Sequence, residues 1–256
     1  MKSPWLHGVA AVCLCLSLIP TIHAQTDATG VDPFDVESDA PPKQIRVQVE
    51  FIDVSHEQFT ELMFGPKPPA NDNELRRQVA QLVKDGNATV LETLLCTSKS
   101  GNKATSESVE EFIYPTEYEP ATLPDNVKGD EAAGKTEGKR PATGPMPTAF
   151  ETRNVGSTLE MEPTLGSDNK TIDLRFVPEI VYHVGNEVWA EWKGEHGNSP
   201  VQMPTFYTVR VNTAVTLSDG NSMLTAALSP KGKDGKPDFT RKLMVFVKAD
   251  VITTQR

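Results

Sequence analysis

The sequence has little cysteine: three of its 256 residues, and two of these, Cys13 and Cys15, lie among the first 24. Without those 24 residues the chain keeps Cys96 alone, which excludes a framework of internal disulfides. Cys96 follows the apolar Leu94 and Leu95, a setting that favours the role of a small buried hydrophobic residue. An intermolecular bridge or a nucleophilic thiol is the alternative that the sequence leaves open.

Long hydrophobic runs are also absent, and a transmembrane helix needs about 20 consecutive apolar residues. The apolar run 9–19 is too short to span a membrane; it follows Lys2 and leads to a small residue, Ala24. These features predict a Sec signal peptide over residues 1–24, and therefore export to the periplasm or the outer membrane. Residues 25–43 are polar and contain several Asp and Pro residues, which predicts a flexible leader.

The sequence contains no Gly-x-Ser-x-Gly motif. Residues 129–136 fit the spacing Gly-x-x-x-x-Gly-Lys-Thr, but they lie in the polar segment 115–147 and not between an apolar strand and a helix, so we expect no phosphate-binding loop. Its formal net charge is −10 and its Lys and Arg residues are scattered, which disfavours nucleic acid as a partner. One group of titratable residues suggests a metal or acid–base site: His183, His196, Glu179, Glu187, Glu191 and Glu195. Its spacing matches no zinc pattern, so solvated strand faces are the favoured interpretation. We therefore expect no enzyme, and no catalytic, cofactor-binding or metal-binding residues.

The clearest pattern of secondary structure lies in residues 148–183. Two runs alternate between apolar and polar residues, with the apolar positions Leu159, Met161 and Leu165 in the first and Ile172, Leu174 and Phe176 in the second. A Gly-Ser-Asp-Asn sequence at 166–169 separates the runs. A period of two residues on both sides of such a turn predicts a pair of half-buried antiparallel strands.

Similar signals continue through residues 44–252. They predict strands over 45–51, 88–97, 104–114, 187–192, 206–217, 223–228 and 243–251. Helical spacing predicts a short helix at 56–64 and a longer one that starts at Asn71 or Asp72 and ends at Gly86. The sequence Asp219-Gly220 predicts a hairpin. The expected fold is one mainly β (α+β), antiparallel domain with one or two helices near its N-terminal end.

Residues 115–147 interrupt this pattern because they are polar and contain repeated Pro, Gly and charged residues. They predict a mobile loop inserted between strands, with protein binding as its sharper interpretation. A second ambiguous feature is the group of aromatic residues Trp189, Trp192, Tyr182, Phe206 and Tyr207. They suggest an aromatic girdle at a membrane interface. Ordinary core and loop packing is the alternative, and we favour it because aromatic side chains dominate core energetics.

The order of these parts resembles the conserved module of bacterial secretins, the multimeric outer-membrane channels of secretion systems. The resemblance covers residues 45–252. It rests on a Val155-Gly156 start, an apolar strand, a Gly/Asp turn and a second strand that ends at Pro178, together with the helix and turn before them and the closing strand after them. Secretins carry an apolar Pro- and Gly-rich motif where this chain has the polar residues 229–238.

The resemblance implies a homo-oligomeric ring at the outer membrane, as a component of a type II/III-like protein secretion or pilus system, with other secretion-system proteins as partners. Residues 206–217 and 243–251 would then form a wall shared between copies, and Val211→Asp or Val245→Asp would abolish assembly. The alternative is a soluble periplasmic structural or binding module that has a secretin-like core and forms no pore. The polar residues 229–238 favour this alternative. A hydrolase with a cleft around His183 is a third and weaker hypothesis.

Overall fold

The computed structural model describes residues 43–122, 125–127, 138–140, 143–194 and 197–253. The predicted signal peptide and all but the last residue of the predicted leader lie outside these ranges. The described residues form eleven strands and two helices. In chain order these are β1 (Lys43–Ser55), α1 (His56–Phe64), α2 (Asp72–Lys84), β2 (Ala88–Lys99), β3 (Ala104–Glu119), β4 (Asp125–Val127), β5 (Gly138–Arg140), β6 (Met146–Leu165), β7 (Thr171–Gly194), β8 (Gly197–Arg210), β9 (Thr213–Ser218), β10 (Ser222–Leu228) and β11 (Arg241–Thr253).

The first sheet has the strand order β10-β11-β1-β2, and each neighbouring pair is antiparallel. Its centre is hydrophobic on both faces: the five consecutive residues 243–247 of β11 are all buried. One face packs against the helices, where Ile52, Val54, Met244 and Phe246 meet Leu75 and Val79 of α2. The opposite face packs against the second sheet. A strand that is covered on both faces loses its polar row, which explains why β11 is apolar at successive positions.

The second sheet has the order β3-β6-β7-β8, with β9 paired to β7 beside β8. Its inner face buries the apolar positions of the predicted strand pair: Leu159, Met161, Ile172, Leu174 and Phe176 are at most 1% exposed. They pack against the face of the first sheet that carries Ile45, Val47 and Val49. The predicted mainly β, antiparallel fold with two short helices is therefore confirmed.

A polar side chain caps the N-terminus of each helix. Ser55 caps α1 through a reciprocal capping box with Gln58. Asn71 caps α2 by accepting a hydrogen bond from the backbone N–H of Glu74, at 2.9 Å. Gly86, just after α2, has a φ of +73°, the left-handed conformation that a terminating glycine tolerates.

The predicted turn at 166–169 joins the paired strands β6 and β7. Two other turns, at 100–103 and 219–220, each carry the chain from one sheet to the other and make no hairpin of paired strands. The turn at 100–103 carries the chain from β2 in the first sheet to β3 in the second. The Asp219-Gly220 turn likewise connects β9 of the second sheet to β10 of the first. The hairpin predicted at Asp219-Gly220 is therefore wrong, because turn chemistry specifies a reversal and not the sheet to which the next strand belongs.

Several predicted boundaries also change. The predicted strand 206–217 is two strands, β8 and β9, interrupted at Val211 and Asn212, and β8 begins as early as Gly197. The predicted short strand 187–192 is part of β7. The predicted loop 115–147 is wrong at both ends, since β3 continues to Glu119 and β6 begins at Met146.

The second sheet divides into two arms. Pairing between β6 and β7 ends at Gly156 and Val181. Beyond that point β6 pairs only with β3, and β7 pairs only with β8. We call residues 110–119 with 146–155 ribbon 1, and residues 182–194 with 197–207 ribbon 2. The rest of the sheet, in which β6 and β7 pair, is the base.

Candidate assembly surface

The two ribbons lie against each other, and a few polar contacts connect them. The Tyr118 hydroxyl donates to the backbone carbonyl of Gln202 at 3.3 Å. Arg153 of ribbon 1 donates to the hydroxyl of Thr208, at the root of ribbon 2, at 3.1 Å. The Ser199 hydroxyl donates to the carbonyl of Pro145 at 3.3 Å. Pro145 immediately precedes Met146, at the end of ribbon 1 that is farthest from the base. These contacts span the length of the ribbons, so the pair forms two layers.

An aromatic cluster holds the roots of the ribbons together. The rings of Phe112 in ribbon 1 and His183 in ribbon 2 have centroids 4.3 Å apart. Phe206 meets Phe112 edge-on at 5.8 Å, and the guanidinium of Arg153 lies 5.0 Å from the centre of the Phe206 ring. Edge-to-face and cation–π contacts of this kind stabilise beyond the area that they bury. His183 therefore packs among aromatic rings, and its Nε2 lies 3.1 Å from Oδ1 of Asn186.

Both ribbons expose large apolar side chains. On ribbon 1 these are Ile113, Met146 and Phe150, which are 65%, 58% and 58% exposed. On ribbon 2 they are Val188 and Trp189, which are 57% and 74% exposed. Half of the ten large apolar side chains that are exposed in the described residues lie on these two short ribbons. Clustered exposed apolar residues mark a surface of interaction with a protein or a membrane.

The strand edges of the ribbons are unpaired within the described part of the chain. β3 pairs only with β6, and β8 only with β7, so each ribbon presents its outer edge. The edges of β6 and β7 that face each other beyond Gly156 and Val181 are likewise outside any ladder. A two-stranded ribbon is marginally stable by itself, and an unpaired edge is a template for another strand. Each ribbon therefore has strand edges at which a further strand could pair.

In the first sheet, side chains of α2 occupy part of the β10 edge. The side chain of Asn73, in the first turn of α2, accepts a hydrogen bond from the backbone N–H of Ser222 at 2.8 Å. The neighbouring Asp72 accepts one from the N–H of Leu224 at 3.2 Å. These side chains occupy donors that an added strand would need. The β10 edge is therefore closed to pairing at those two positions.

One of the two segments predicted to form a wall between copies cannot do so. β11 lies between β10 and β1, and Val245 is fully buried. The prediction that residues 243–251 join such a wall is wrong, because their strand has no free edge. Val211 is also buried, at 8% exposure, so Val211→Asp and Val245→Asp would disturb the core first. Within the predicted segment 206–217, residues 206–210 belong to the edge strand β8.

In the structure, the residues of the suggested metal or acid–base site do not form one cluster. Glu179 lies 3.9 Å from Arg210, and Glu191 forms an ion pair of 3.0 Å with Lys193. His196 and Glu195 lie outside the described residues. Across the described ranges, no group of three or more His, Cys, Asp or Glu side chains could hold a metal ion.

The aromatic residues have mixed environments. Trp189 is largely exposed, so the favoured interpretation of core packing is wrong for this residue. Tyr182 and Tyr207 are half-buried against the core, and burial raises the pKa of both phenols. Cys96 is a free cysteine, half-buried and packed against the main core, in agreement with the role of a small hydrophobic residue.

Neither helix in the described part of the chain is long and apolar enough to cross a membrane. No protein-family model matches the sequence, and no curated protein matches it. Solved structures with a similar course of the chain are secretins. One is the type II secretin GspD of enteropathogenic Escherichia coli, with 12% identity and a TM-score of 0.40 over 85% of this chain and 71% of that one.

Two further similar structures come from other systems. The secretin domain of InvG, from the Salmonella SPI-1 injectisome, has 10% identity and a TM-score of 0.38 over 84% of this chain and 64% of that one. PilQ, the secretin of the Vibrio cholerae type IV competence pilus, has 12% identity and a TM-score of 0.36 over 85% of this chain and 63% of that one. These likenesses concern the fold, and each covers only part of the other chain.

Proposed function

We propose that this protein is a secretin-like, exported subunit that assembles with copies of itself into a ring at the outer membrane, as a non-enzymatic component of a type II/III-like secretion or pilus system. The observation that carries the proposal is the pair of ribbons, which combine unpaired edges with exposed apolar side chains. The sequence resemblance to the secretin module suggests that the assembly is a ring of identical copies.

The mechanism is passive strand pairing between copies. In a ring, the outer edge of β3 in one copy meets the outer edge of β8 in the next, and each contact satisfies backbone donors and acceptors that are otherwise solvated. Such a contact is heterologous, since two different edges meet, and repetition around an axis closes it into a ring. The β10 edge, which α2 occupies, takes no part.

Substitution of exposed apolar residues tests this mechanism with matched controls. Ile113→Lys and Trp189→Lys place a charge on ribbon 1 and ribbon 2. Phe64→Lys and Phe239→Lys place the same charge on residues that are equally exposed, at 79% and 72%, but lie outside the ribbons. All four changes are on the surface, so each should alter the free energy of unfolding by less than about 0.5 kcal/mol.

The measurement is the mass of the protein extracted from membranes of a Gram-negative host with mild detergent, beside its mass in the soluble periplasmic fraction. We expect a large closed oligomer for the unchanged protein and for both control variants, and its loss in both ribbon variants. An oligomer that survives both ribbon substitutions would refute assembly through the ribbons. Equal loss in all four variants would refute it too, because the effect would not depend on the ribbons.

The second candidate is a soluble periplasmic structural or binding module with the same core. The polar loop 229–238 favours it, since that loop presents Lys231, Lys233 and Lys236 where secretins carry an apolar motif. A monomer or dimer found only in the periplasmic fraction would support this candidate and overturn the ring.

A further inference from the structure

Residues 229–238, which form most of the connection 229–240 between β10 and β11, are a compact loop held by its own hydrogen bonds. The backbone N–H of Gly232 donates to the carbonyl of Lys236 at 2.7 Å, and that of Asp238 donates to the carbonyl of Pro230 at 2.9 Å. A β-bridge joins Lys231 to Pro237. Both ends of the loop continue into strands of the first sheet, and one of these is the buried strand β11. The loop is therefore anchored to the buried core of the first sheet.

This loop touches ribbon 2 at three points near its root. The Tyr207 hydroxyl donates to the carbonyl of Ser229 at 2.9 Å. The ammonium group of Lys231 lies 5.7 Å from the centre of the Tyr182 ring. The third contact is between Gly235 and Val184, and it is the tightest. A Cβ atom on Gly235 would lie 2.0 Å from Cγ1 of Val184.

Val184 faces the loop because it lies two residues after Tyr182, and alternate residues of a strand share one side. The register between β7 and β8 shifts between His183 and Gly185, so Val184 has no partner on β8. A β-bulge of this kind bends the strand locally while the strand continues. Tyr182 and Val184 lie on the side of ribbon 2 that faces the loop, whereas His183 packs against ribbon 1. Ribbon 2 is thus held between ribbon 1 and the loop.

We infer that residues 229–238 act as a brace that sets the angle between ribbon 2 and the first sheet. The inference rests on contacts within one chain and is independent of the proposed ring. Ribbon 2 leaves the base at Val181, and the brace contacts it three residues later, so a small displacement there becomes a large one at the tip.

Ribbon 2 is long enough for a tilt about Val181 to be measured near its tip. Val184 lies about 10 Å from the pivot at Val181, and Lys193 lies about 40 Å from it, at roughly 3.3 Å per residue. In Gly235→Ala, the new methyl group must move from 2.0 Å to about 3.5 Å from Cγ1 of Val184. A displacement of about 1.5 Å at Val184 corresponds to about 6 Å at Lys193.

The test is a spin-label distance between Lys193→Cys on ribbon 2 and Arg77→Cys on the exposed face of α2, in a background in which Cys13, Cys15 and Cys96 are each replaced by Ser. Labelled full-length chains are diluted with an excess of unlabelled chains, so that only distances within one copy are read. We expect Gly235→Ala to shift the mean distance by about 6 Å, within a factor of two. Adding Val184→Ala removes Cγ1, and the shift should fall to about 1 Å, because the remaining Cβ lies 3.2 Å from the new methyl group.

Gly101→Ala is the matched control. Gly101 has a φ of +74°, close to the +80° of Gly235, but a Cβ atom there meets no atom within 4 Å. It carries the same backbone strain without the contact, and we expect no shift in the distance. An unchanged distance in Gly235→Ala would show that the loop yields instead of the ribbon, and would overturn the inference. A shift that persists after Val184→Ala would do the same. Because the readout is a distance within one copy, either failure leaves the proposed ring untouched.

Discussion

Gly156 stands where the base divides into the ribbons, and its replacement tests how the division is made. Its φ is +135°, a conformation that L-residues with side chains rarely adopt, and a Cβ atom there would lie 2.2 Å from the carbonyl oxygen of Ser108 on β3. That oxygen belongs to the backbone, so no rotamer change can relieve the contact. In Gly156→Ala, either the strand bends or the pairing of β3 with β6 opens at this position.

The expected loss of stability has two parts, backbone strain and lost hydrogen bonds. The backbone strain alone amounts to roughly 1–3 kcal/mol. Opening the ladder forfeits about two backbone hydrogen bonds, each with a net value of about 1 kcal/mol. We therefore expect Gly156→Ala to lower the free energy of unfolding by about 3–5 kcal/mol. Gly86→Ala is the control, since Gly86 has a φ of +73° and a Cβ atom there meets nothing within 4 Å; it should cost roughly 1–2 kcal/mol.

Urea unfolding of both variants, followed by circular dichroism at one protein concentration, provides the measurement. A difference of about 1–4 kcal/mol between the variants is expected, with Gly156→Ala the less stable. Equal costs would refute the argument, because the close approach of β3 and β6 at Gly156 would then add nothing to the ordinary strain of a left-handed residue.

Two further predictions concern polar groups. Hydrogen bonds, first of all from the Thr171 hydroxyl, lower the pKa of Asp168 to about 2, so the stability that they confer is full above the ordinary pKa of 3.8 and is lost as the pH falls towards 2. Thr171→Val should raise this pKa towards 3.8 in a carboxyl NMR titration, and an unchanged pKa would contradict the assignment. Arg76 binds Glu50 through two hydrogen bonds of 2.6 and 2.9 Å in a mostly buried pair, so Arg76→Met should cost about 2–3 kcal/mol in urea unfolding. Lys103→Met, which removes an exposed ion pair, should cost less than about 1 kcal/mol, and similar costs would contradict the difference in burial.

The sequence was sufficient to predict the elements that one periodicity dominates. Leu159, Met161 and Leu174 alternate with polar residues because only one face of their strands is buried, and all three lie in the core. The sequence predicts a cap at Asn71 or Asp72, since either side chain can replace a missing helical acceptor, and in the structure Asn71 is the cap. In these cases the local signal and the tertiary environment agree.

Strand partnership was less predictable, since it depends on contacts between residues far apart in the chain. Asp219 illustrates the point: its carboxylate accepts a hydrogen bond from the backbone N–H of Val251 at 2.8 Å, which fixes the turn to β11. Nothing in the residues near Asp219 indicates that contact. The ribbons were missed for a similar reason, because nothing in the residues near Gly156 indicates that β7 separates from β6 there.

The charges on the base limit which part of the molecule can meet an apolar environment. Its outer face carries the ion pairs Lys103 with Glu160 and Arg210 with Glu179, and Arg175 lies among them. Moving such groups from water into hydrocarbon costs several kcal/mol for each charge. The ribbons instead expose large apolar side chains, namely Ile113, Met146, Phe150, Val188 and Trp189. If the protein assembles as proposed, the charged outer face of the base is therefore disfavoured as a surface of contact with lipid.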